Sequence, residues 1–216
     1  QKTAYEIPKR DWSSDVCSSD LILTRQPDQH LIVERAMYGI VNKAVEELIK
    51  NQFGAEQWEA VRKLSGIDVD FFVSTEPYDD EITYKLAVAA SEVLKMDIGD
   101  VMIALGEYWI LKVGKEKYGG LMEAGGNNLR EFLKNLPQFH SRIMLLYPKL
   151  TPPEFRISDE SDHALHVHYY SHRQGLQEFV RGLLQGLSKL YQTETTIELI
   201  AHRADGHDHD IFRVSW

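Results

Sequence analysis

The spacing of the apolar residues changes near Pro148, and this change restricts the possible fold more than any other feature of the sequence. Between residues 37 and 147, apolar side chains recur at i, i+3 and i+4, which is typical of amphipathic helices. Two later segments, 155–169 and 197–214, show the alternation that is typical of β-hairpins, and a helix over 173–191 separates them. The pattern predicts an α+β fold, with a helical amino-terminal half and a carboxyl-terminal half that combines an antiparallel sheet with helices.

Glycine, proline and capping residues divide the helical half into elements. The pattern predicts four helices in its first part: one from Met37 to Gly54, a short one that Gly66 ends, one over Glu81 to Leu94, and one that Asp97 caps. The segment from Gly114 to Asn128 is rich in glycine and is predicted to be a loop. The next helix, over 128–147, contains Pro137, so we expect either a kink or a helix that restarts with proline in its first turn.

The amino-terminal stretch differs from the rest of the chain, because residues 12–20 are polar and have neither a helical nor a strand period. The string DWSSDVCSSDL, from Asp11 to Leu21, resembles the translation of a short-read sequencing adapter. We therefore interpret 1–36 as a non-native or disordered extension, with Met37 as the natural first residue and 37–216 as one domain. A native flexible tail, or a native extension over 22–36, is the alternative.

Charge and composition argue against several kinds of partner. The chain has 24 basic and 33 acidic residues and a net charge of -9, which argues against binding to nucleic acid through phosphate contacts. No apolar run approaches the roughly 20 residues that span a bilayer, and residues 1–20 lack the apolar core of a secretory signal. We therefore expect a cytoplasmic protein with no membrane segment. Cys17, the single cysteine, has no partner for an internal disulfide or a cysteine-based metal site.

Motifs of the common enzyme classes are absent from the sequence. There is no glycine-rich phosphate loop, no GxSxG nucleophile motif and no HExxH metal motif. Since nothing in the sequence supports catalysis, we expect a binding protein rather than an enzyme.

Histidines cluster at two places in the carboxyl-terminal half. His166 and His168 fall on one face of a predicted strand, which is the geometry of two metal ligands, although exposed sheet faces also tolerate histidine. A structural zinc site and a solvated strand face are both compatible with this pattern. Segment 207–210 lies at a predicted turn, and we expect it to be solvated.

His140 and segment 169–173 together indicate another kind of site. His140 occupies a position on an apolar helix face where an aliphatic residue is expected. In an extended chain, Tyr169, Ser171 and Arg173 project to one side and present donors that suit paired carboxylates. Each feature alone is compatible with a structural role. Together with an apolar and aromatic helical shell, they indicate a haem pocket that has one axial ligand, a propionate clamp and dry walls.

Several motifs resemble those of the haem nitric oxide/oxygen-binding (H-NOX) domains, which also form the haem-binding region of soluble guanylate cyclase. The resemblance covers 37–216 and is greatest toward the cyanobacterial members. Six motifs in the family's order carry it: MYGIVNKAVEELI at 37–49, GEYWI at 106–110, FH at 139–140, PKLTPPEF at 148–155, HYYSHRQGL at 168–176 and HDIF at 209–212.

The resemblance implies that the cofactor is haem b, iron protoporphyrin IX. It identifies His140 as the proximal iron ligand. It also implies that Tyr169, Ser171 and Arg173 clamp the propionates. Pro153 matches the family position that presses on the macrocycle and distorts it.

On the distal side, the resemblance places Phe179 where oxygen-binding members have a tyrosine that donates to the bound gas. A phenyl ring cannot donate, and bound O2 depends on a donor more than NO does, so we expect selectivity for NO and CO over O2. The helix that carries Tyr38 and Val41 is expected to form part of the distal wall. The resemblance also places Trp109 near this pocket. Its indole N–H is a possible donor, and Tyr38 is a more remote one.

These expectations describe a haem-based gas sensor that binds NO at ferrous iron. Since the chain ends with the domain, we expect a separate signalling partner, which by resemblance is a histidine kinase or a cyclic-dinucleotide enzyme. One alternative is an O2-binding protein, a carrier or a sensor, that uses Trp109 as its donor. A second alternative is a haem-free domain in which His140 is only a core residue.

Overall fold

The computed structural model of the chain describes residues 36–146 and 152–216. Apart from Ala36, the predicted amino-terminal extension lies outside the described residues. Residues 147–151, which include the first part of the PKLTPPEF motif, lie outside them too. The described residues form helices and an antiparallel sheet, so the predicted α+β class is confirmed.

The amino-terminal half is mainly helical. Its elements up to residue 108 are β1 (Ala36–Tyr38), α1 (Gly39–Phe53), α2 (Ala55–Ser65), β2 (Pro77–Asp79), α3 (Asp80–Leu94) and α4 (Ile98–Tyr108). Because β1 pairs with β2, the first helix begins at Gly39 and not at Met37. Asp79 and Asp97 cap α3 and α4, since each side chain accepts from a backbone N–H two residues later. The cap at Asp97 is confirmed.

The prediction of a loop from Gly114 to Asn128 is wrong for most of its length. The chain continues from α4 through a π-helix, Trp109–Gly114, into α5, Lys115–Glu123. Glycine in a helix costs only about 1 kcal/mol relative to alanine. The burial of Met122 in a hydrophobic core offsets that cost.

Of the two arrangements expected at Pro137, a kink and a restarted helix, the structure shows the restart. Helix α6 (Leu129–Lys134) ends at Asn135, and α7 (Leu136–Leu146) carries Pro137 in its first turn. Proline is tolerated there because an N–H in the first turn has no partner within the helix. The restart places His140 about one turn into α7.

Two hairpins form a four-stranded antiparallel sheet with the order β3-β4-β6-β5. Its strands and the helix between the hairpins are β3 (Glu154–Ser158), β4 (Ala164–Tyr170), α8 (Gln177–Leu190), β5 (Thr196–Ala201) and β6 (Asp210–Ser215). Both hairpins were predicted. Helix α8 begins at Gln177 rather than Arg173, because Gly175 has a φ of 74°, a left-handed conformation that interrupts a right-handed helix.

Two hydrophobic cores meet where α4 crosses α8. One core lies among helices α1 to α4, and the other lies between the sheet and helices α6 to α8. At the crossing, a Cβ atom added to Gly106 would lie 2.3 Å from the carbonyl oxygen of Phe179. One added to Gly182 would lie 2.2 Å from the carbonyl oxygen of Ile103. The two halves of the molecule are therefore in direct backbone contact.

Replacing Gly182 with alanine is expected to destabilise the protein by about 1–3 kcal/mol, the usual range for overpacking. The added methyl group meets backbone rather than a side chain, so the helices have to separate to accommodate it. Thermal unfolding measures the effect, and a loss of 1 kcal/mol lowers Tm by about 2–4 °C in a domain of this size. The control is Gly120→Ala, because Gly120 is helical, exposed and has no neighbouring atom within 4 Å of an added Cβ. Equal Tm values for the two variants would contradict the prediction.

Candidate functional site

An apolar cavity of about 240 Å³ lies between the two halves. Its walls come from β1, α1, α3 to α8, the π-helix, β4 and the chain before β3. Eight of the nine residues predicted for the site line it: Tyr38, Val41, Trp109, His140, Pro153, Tyr169, Arg173 and Phe179. The structure thus brings together residues that lie up to 141 positions apart, while their individual roles stay predictions.

His140 is the only histidine among the described residues that line this cavity. Burial lowers the pKa of its imidazole below the ordinary value of 6.5, so the ring is neutral near pH 7. Its Nδ1 lies 3.1 Å from the carbonyl oxygen of Leu136, one turn earlier in α7. With the proton on Nδ1 donated to that carbonyl, the lone pair of Nε2 is available to a metal, which is the usual arrangement of a ligating histidine.

Aromatic contacts connect the His140 helix to the sheet. The His140 ring lies 4.9 Å from the ring of Phe155 in β3, and Phe155 lies 5.4 Å from Tyr169 in β4, both measured between centroids. Pro153 lines the cavity immediately before β3. His140 and Pro153 therefore both lie beside the β3–β4 strand pair, which contains Tyr169.

The predicted donors at 169–173 do not share one extended segment. Strand β4 ends at Tyr170, and residues 171–176 form a loop, which we call the clamp loop. Tyr169 is buried in β4, hydrogen-bonds to the Ser171 side chain, and has a pKa that burial raises. Ser171 is not among the cavity-lining residues, because its hydroxyl turns back to accept from the backbone N–H of Arg173 at 3.1 Å. Tyr169 and Arg173 reach the cavity themselves.

Asp80, the first residue of α3, was missed by the sequence analysis. Its Oδ2 accepts from Arg173 Nε at 2.8 Å, and the two side chains are only 12% and 8% exposed. Asp80 Oδ1 is buried and has no hydrogen-bond partner among the described residues. The pair connects the helical half to the clamp loop. The only sequence signal was the Asp79-Asp80 pair before a helix, which is equally typical of a capping sequence.

Tyr84 lies near this ion pair on the same helix. Burial, reinforced by the negative charge of Asp80, raises the pKa of Tyr84 to about 12. Its hydroxyl donates to the carbonyl oxygen of Gln174 in the clamp loop at 2.9 Å. Helix α3 therefore holds the clamp loop at two points.

The cavity wall near α8 and the π-helix contains Phe179 and Trp109. Phe179 lies in the first turn of α8, and Trp109 is the first residue of the π-helix. Tyr38, at the end of β1, is buried beside them in the first core. Tyr118 also lines the cavity, and sequence analysis missed it because α5 was predicted to be a loop.

The histidines of the sheet have protein partners. His168 Nδ1 lies 2.7 Å from His209 Nε2, and His168 Nε2 lies 2.7 Å from Ser158 Oγ. His166 Nδ1 lies 3.0 Å from Asp159. Within the described part of the chain, no group of three or more His, Cys, Asp or Glu side chains is placed to hold a metal ion. Of the two interpretations of His166 and His168, the structure favours the strand face.

The expectation that segment 207–210 is solvated is wrong for its second half. Asp210 is buried and accepts from the backbone N–H of Arg203 at 2.9 Å. His209 stacks on Tyr170 with ring centroids 4.0 Å apart, and its side chain is only 12% exposed. These contacts pack the connection between β5 and β6 against the end of β4.

The haem-free protein is expected to lose stability as the pH falls below about 6.5. Desolvation in the cavity wall lowers the pKa of His140, so its ring stays neutral in the folded chain while the same side chain in the unfolded chain binds a proton near pKa 6.5. The contribution of His140 to the free energy of unfolding is therefore fully present above this pH and is lost as the pH falls toward the folded-state pKa.

Denaturant titrations of the haem-free protein at pH values of about 7.5 and 5.5 measure this loss. His140→Leu should show a smaller difference in unfolding free energy between the two values. Some difference should remain, because burial also lowers the pKa of His168. An unchanged difference in the variant would exclude His140 as a source of the pH dependence.

Solved H-NOX structures have the same fold as this chain. An H-NOX protein from S. oneidensis in the Fe(II)NO ligation state matches with a TM-score of 0.74 and 19% identity, over 83% of this chain and 98% of that chain. The Fe(II) unliganded H-NOX protein from K. algicida matches with a TM-score of 0.72 and 21% identity, over 83% of this chain and 96% of that chain. The fold is that of H-NOX domains.

The family model for haem-NO-binding (HNOB) domains matches residues 38–199. The chain therefore belongs to the haem-NO-binding family, whose domains bind haem and act as gas sensors. None of the helices among the described residues has both the length and the apolar character that a membrane span requires.

Two similar curated proteins are guanylate cyclases. Soluble guanylate cyclase gcy-31 of Caenorhabditis elegans is 29% identical over 165 residues, which are 76% of this chain and 24% of that protein. Guanylate cyclase soluble subunit beta-2 of Rattus norvegicus is 29% identical over 120 residues, which are 53% of this chain and 18% of that protein. The chain thus spans about a quarter or less of the length of these relatives.

Proposed function

We propose that this chain is a haem-based sensor that binds NO, and also CO, at ferrous haem b. The observation that carries the proposal is the half-buried, neutral imidazole of His140 on the wall of an apolar cavity that Tyr169 and Arg173 also line. The family model supports the proposal, because it matches the segment that contains all three residues.

The residues around the cavity suit haem. His140 supplies one nitrogen ligand, and Arg173 and Tyr169 supply a cation and a phenol for the propionate groups. Asp80 Oδ2 accepts from Arg173 Nε and so orients the guanidinium, while the other oxygen, Oδ1, is buried without a hydrogen-bond partner among the described residues. When bound, haem supplies the ferrous iron at which a diatomic gas binds.

Gas selectivity is assigned to Phe179. Its ring lines the cavity and offers no proton to a bound gas, and NO on ferrous iron needs less help from a donor than O2 does. The proposal therefore includes preference for NO and CO over O2.

The alternative function is O2 binding, and one observation favours it. Trp109 lines the same cavity, and its indole N–H is a donor at the start of a π-helix, a type of distortion that is frequent at functional sites. In that case the protein is an O2 carrier or an O2 sensor.

The proposal extends to signalling and domain limits. A separate partner, a histidine kinase or a cyclic-dinucleotide enzyme, would bind the gas-free and gas-bound forms with different affinity. The domain itself is assigned no catalytic step. We place its limits at 37–216, with 1–36 as a non-native or disordered extension. The start of the family match at residue 38 supports this boundary.

Absorption spectroscopy tests the proposal. The full chain is produced with haem supplied, reduced with dithionite and exposed separately to NO and to air. We expect a spectrum of five-coordinate, histidine-ligated ferrous haem that changes with NO and forms no stable complex in air. A stable O2 complex would favour the alternative, and the absence of any haem absorption would overturn both.

A further inference from the structure

Arg203, which lies far from the clamp loop in the sequence, holds the backbone of this loop. Arg203 Nη1 donates to the carbonyl oxygen of Ser171 at 2.5 Å and to that of Arg173 at 3.0 Å. Arg203 opens the short 3-10 helix, Arg203–Asp205, in the connection between β5 and β6. It is not among the residues that line the cavity.

Arg203 is itself fixed by the sheet. Its backbone N–H donates to Asp210 Oδ1 at 2.9 Å. Asp210 is buried and pairs in register with Tyr169 across strands β4 and β6. The Arg203 backbone is therefore tied to β6, next to the strand that carries Tyr169.

Contacts from both halves of the molecule hold Arg173. Its side chain donates to Asp80 in the helical half, and its carbonyl accepts from Arg203 in the carboxyl-terminal half. The guanidinium of Arg203 is planar and charged near neutral pH. It therefore holds the carbonyl groups of Ser171 and Arg173 in a fixed relation, which the flexible ammonium of a lysine would reproduce poorly.

We propose that Arg203 is a positioning residue of the haem site, which fixes the clamp loop so that Arg173 and Tyr169 face the propionates together. The inference rests on the proposed function. Since Arg203 does not line the cavity, it would act through Arg173 and the clamp-loop backbone.

The rate of haem loss from the full chain to an excess of apomyoglobin tests the proposal. Arg203→Met keeps the aliphatic stem and removes the donors, and it should lose haem about tenfold faster than the unmodified protein. Arg203→Lys should lie between the two. The control is Arg213→Met, because Arg213 lies on neighbouring β6 in an exposed ion pair with Glu198 and does not contact the clamp loop.

A double-mutant cycle separates positioning from general destabilisation. If Arg203 acts through Arg173, then Arg203→Met should produce little further acceleration when Arg173→Met is already present. Equal acceleration in both backgrounds would overturn the proposal, and so would a haem-loss rate for Arg203→Met that matches the control. Thermal unfolding of each haem-free variant establishes that it is folded, and Arg203→Lys replaces Arg203→Met in the cycle if the latter does not fold.

The outcome also distinguishes this inference from the function on which it rests. Failure of the unmodified protein to bind haem through His140 would overturn the proposed function. Normal haem binding with no effect of Arg203 substitutions would overturn only the role of Arg203.

Discussion

Replacing His140 with glycine is expected to abolish the histidine-ligated ferrous spectrum. His140 is the one cavity-lining histidine among the described residues, and its lowered pKa keeps it in the neutral form that ligates metals. Without the ring, the cavity would offer the iron no histidine nitrogen among the described residues. The absorption spectrum of the reduced variant measures the loss, and added imidazole should restore a nitrogen-ligated spectrum because it can occupy the space that the side chain leaves.

His163→Gly is the matched control for this experiment. His163 is exposed in the turn between β3 and β4 and does not line the cavity. Its spectrum should equal that of the unmodified protein. A His140→Gly variant with an unchanged spectrum would mean that another group ligates the iron.

Replacing Phe179 with tyrosine is expected to raise the O2 affinity of the ferrous protein by about tenfold or more. The new hydroxyl enters the cavity wall as a donor, and one hydrogen bond to a charged group contributes about 1.5–3 kcal/mol. Affinity for NO should change much less. Equilibrium O2 titration of the reduced protein, with NO binding measured in parallel, tests both statements.

Phe139→Tyr provides the control for Phe179→Tyr. Phe139 also lines the cavity, but its ring lies 5.6 Å from that of His140 on the same helix, so under the proposed function a hydroxyl there should not assist the bound gas. If the unmodified protein already binds O2 tightly and Trp109→Phe abolishes this, selectivity does not depend on Phe179 and the O2-binding alternative is correct.

Features with a local sequence signal were predicted well. The helical and alternating periods predicted the fold class and both hairpins, and a helix restarting at Pro137 was one of the two arrangements expected there. His140 could be singled out because a lone polar residue interrupts an apolar stripe. The prediction of a loop after Gly114 was wrong. Tertiary packing, which a local pattern does not contain, outweighed the small cost of glycine in a helix.

The contacts that hold Arg173 and the clamp loop in place could not be predicted from the sequence. Arg173 and Asp80 lie 93 positions apart, and Arg203 lies 30 positions from Arg173, so neither pairing leaves a periodic pattern in the sequence. His209 was assigned to solvent because a turn composition says nothing about the aromatic ring of Tyr170 that covers it. Such residues are identified only when the strands and loops that carry them are brought together.

The glycine crossing of α4 and α8 determines how the halves can move. Backbone meets backbone at Gly106 and Gly182, and no side chain lies between them that could change rotamer and let the helices slide. Any relative rotation of the halves that keeps this contact would therefore have to take place about the crossing. A rotation about it leaves these glycines in place and produces displacements that grow with distance from them. A small tilt at the cavity would thus appear as a larger movement at the periphery of each half.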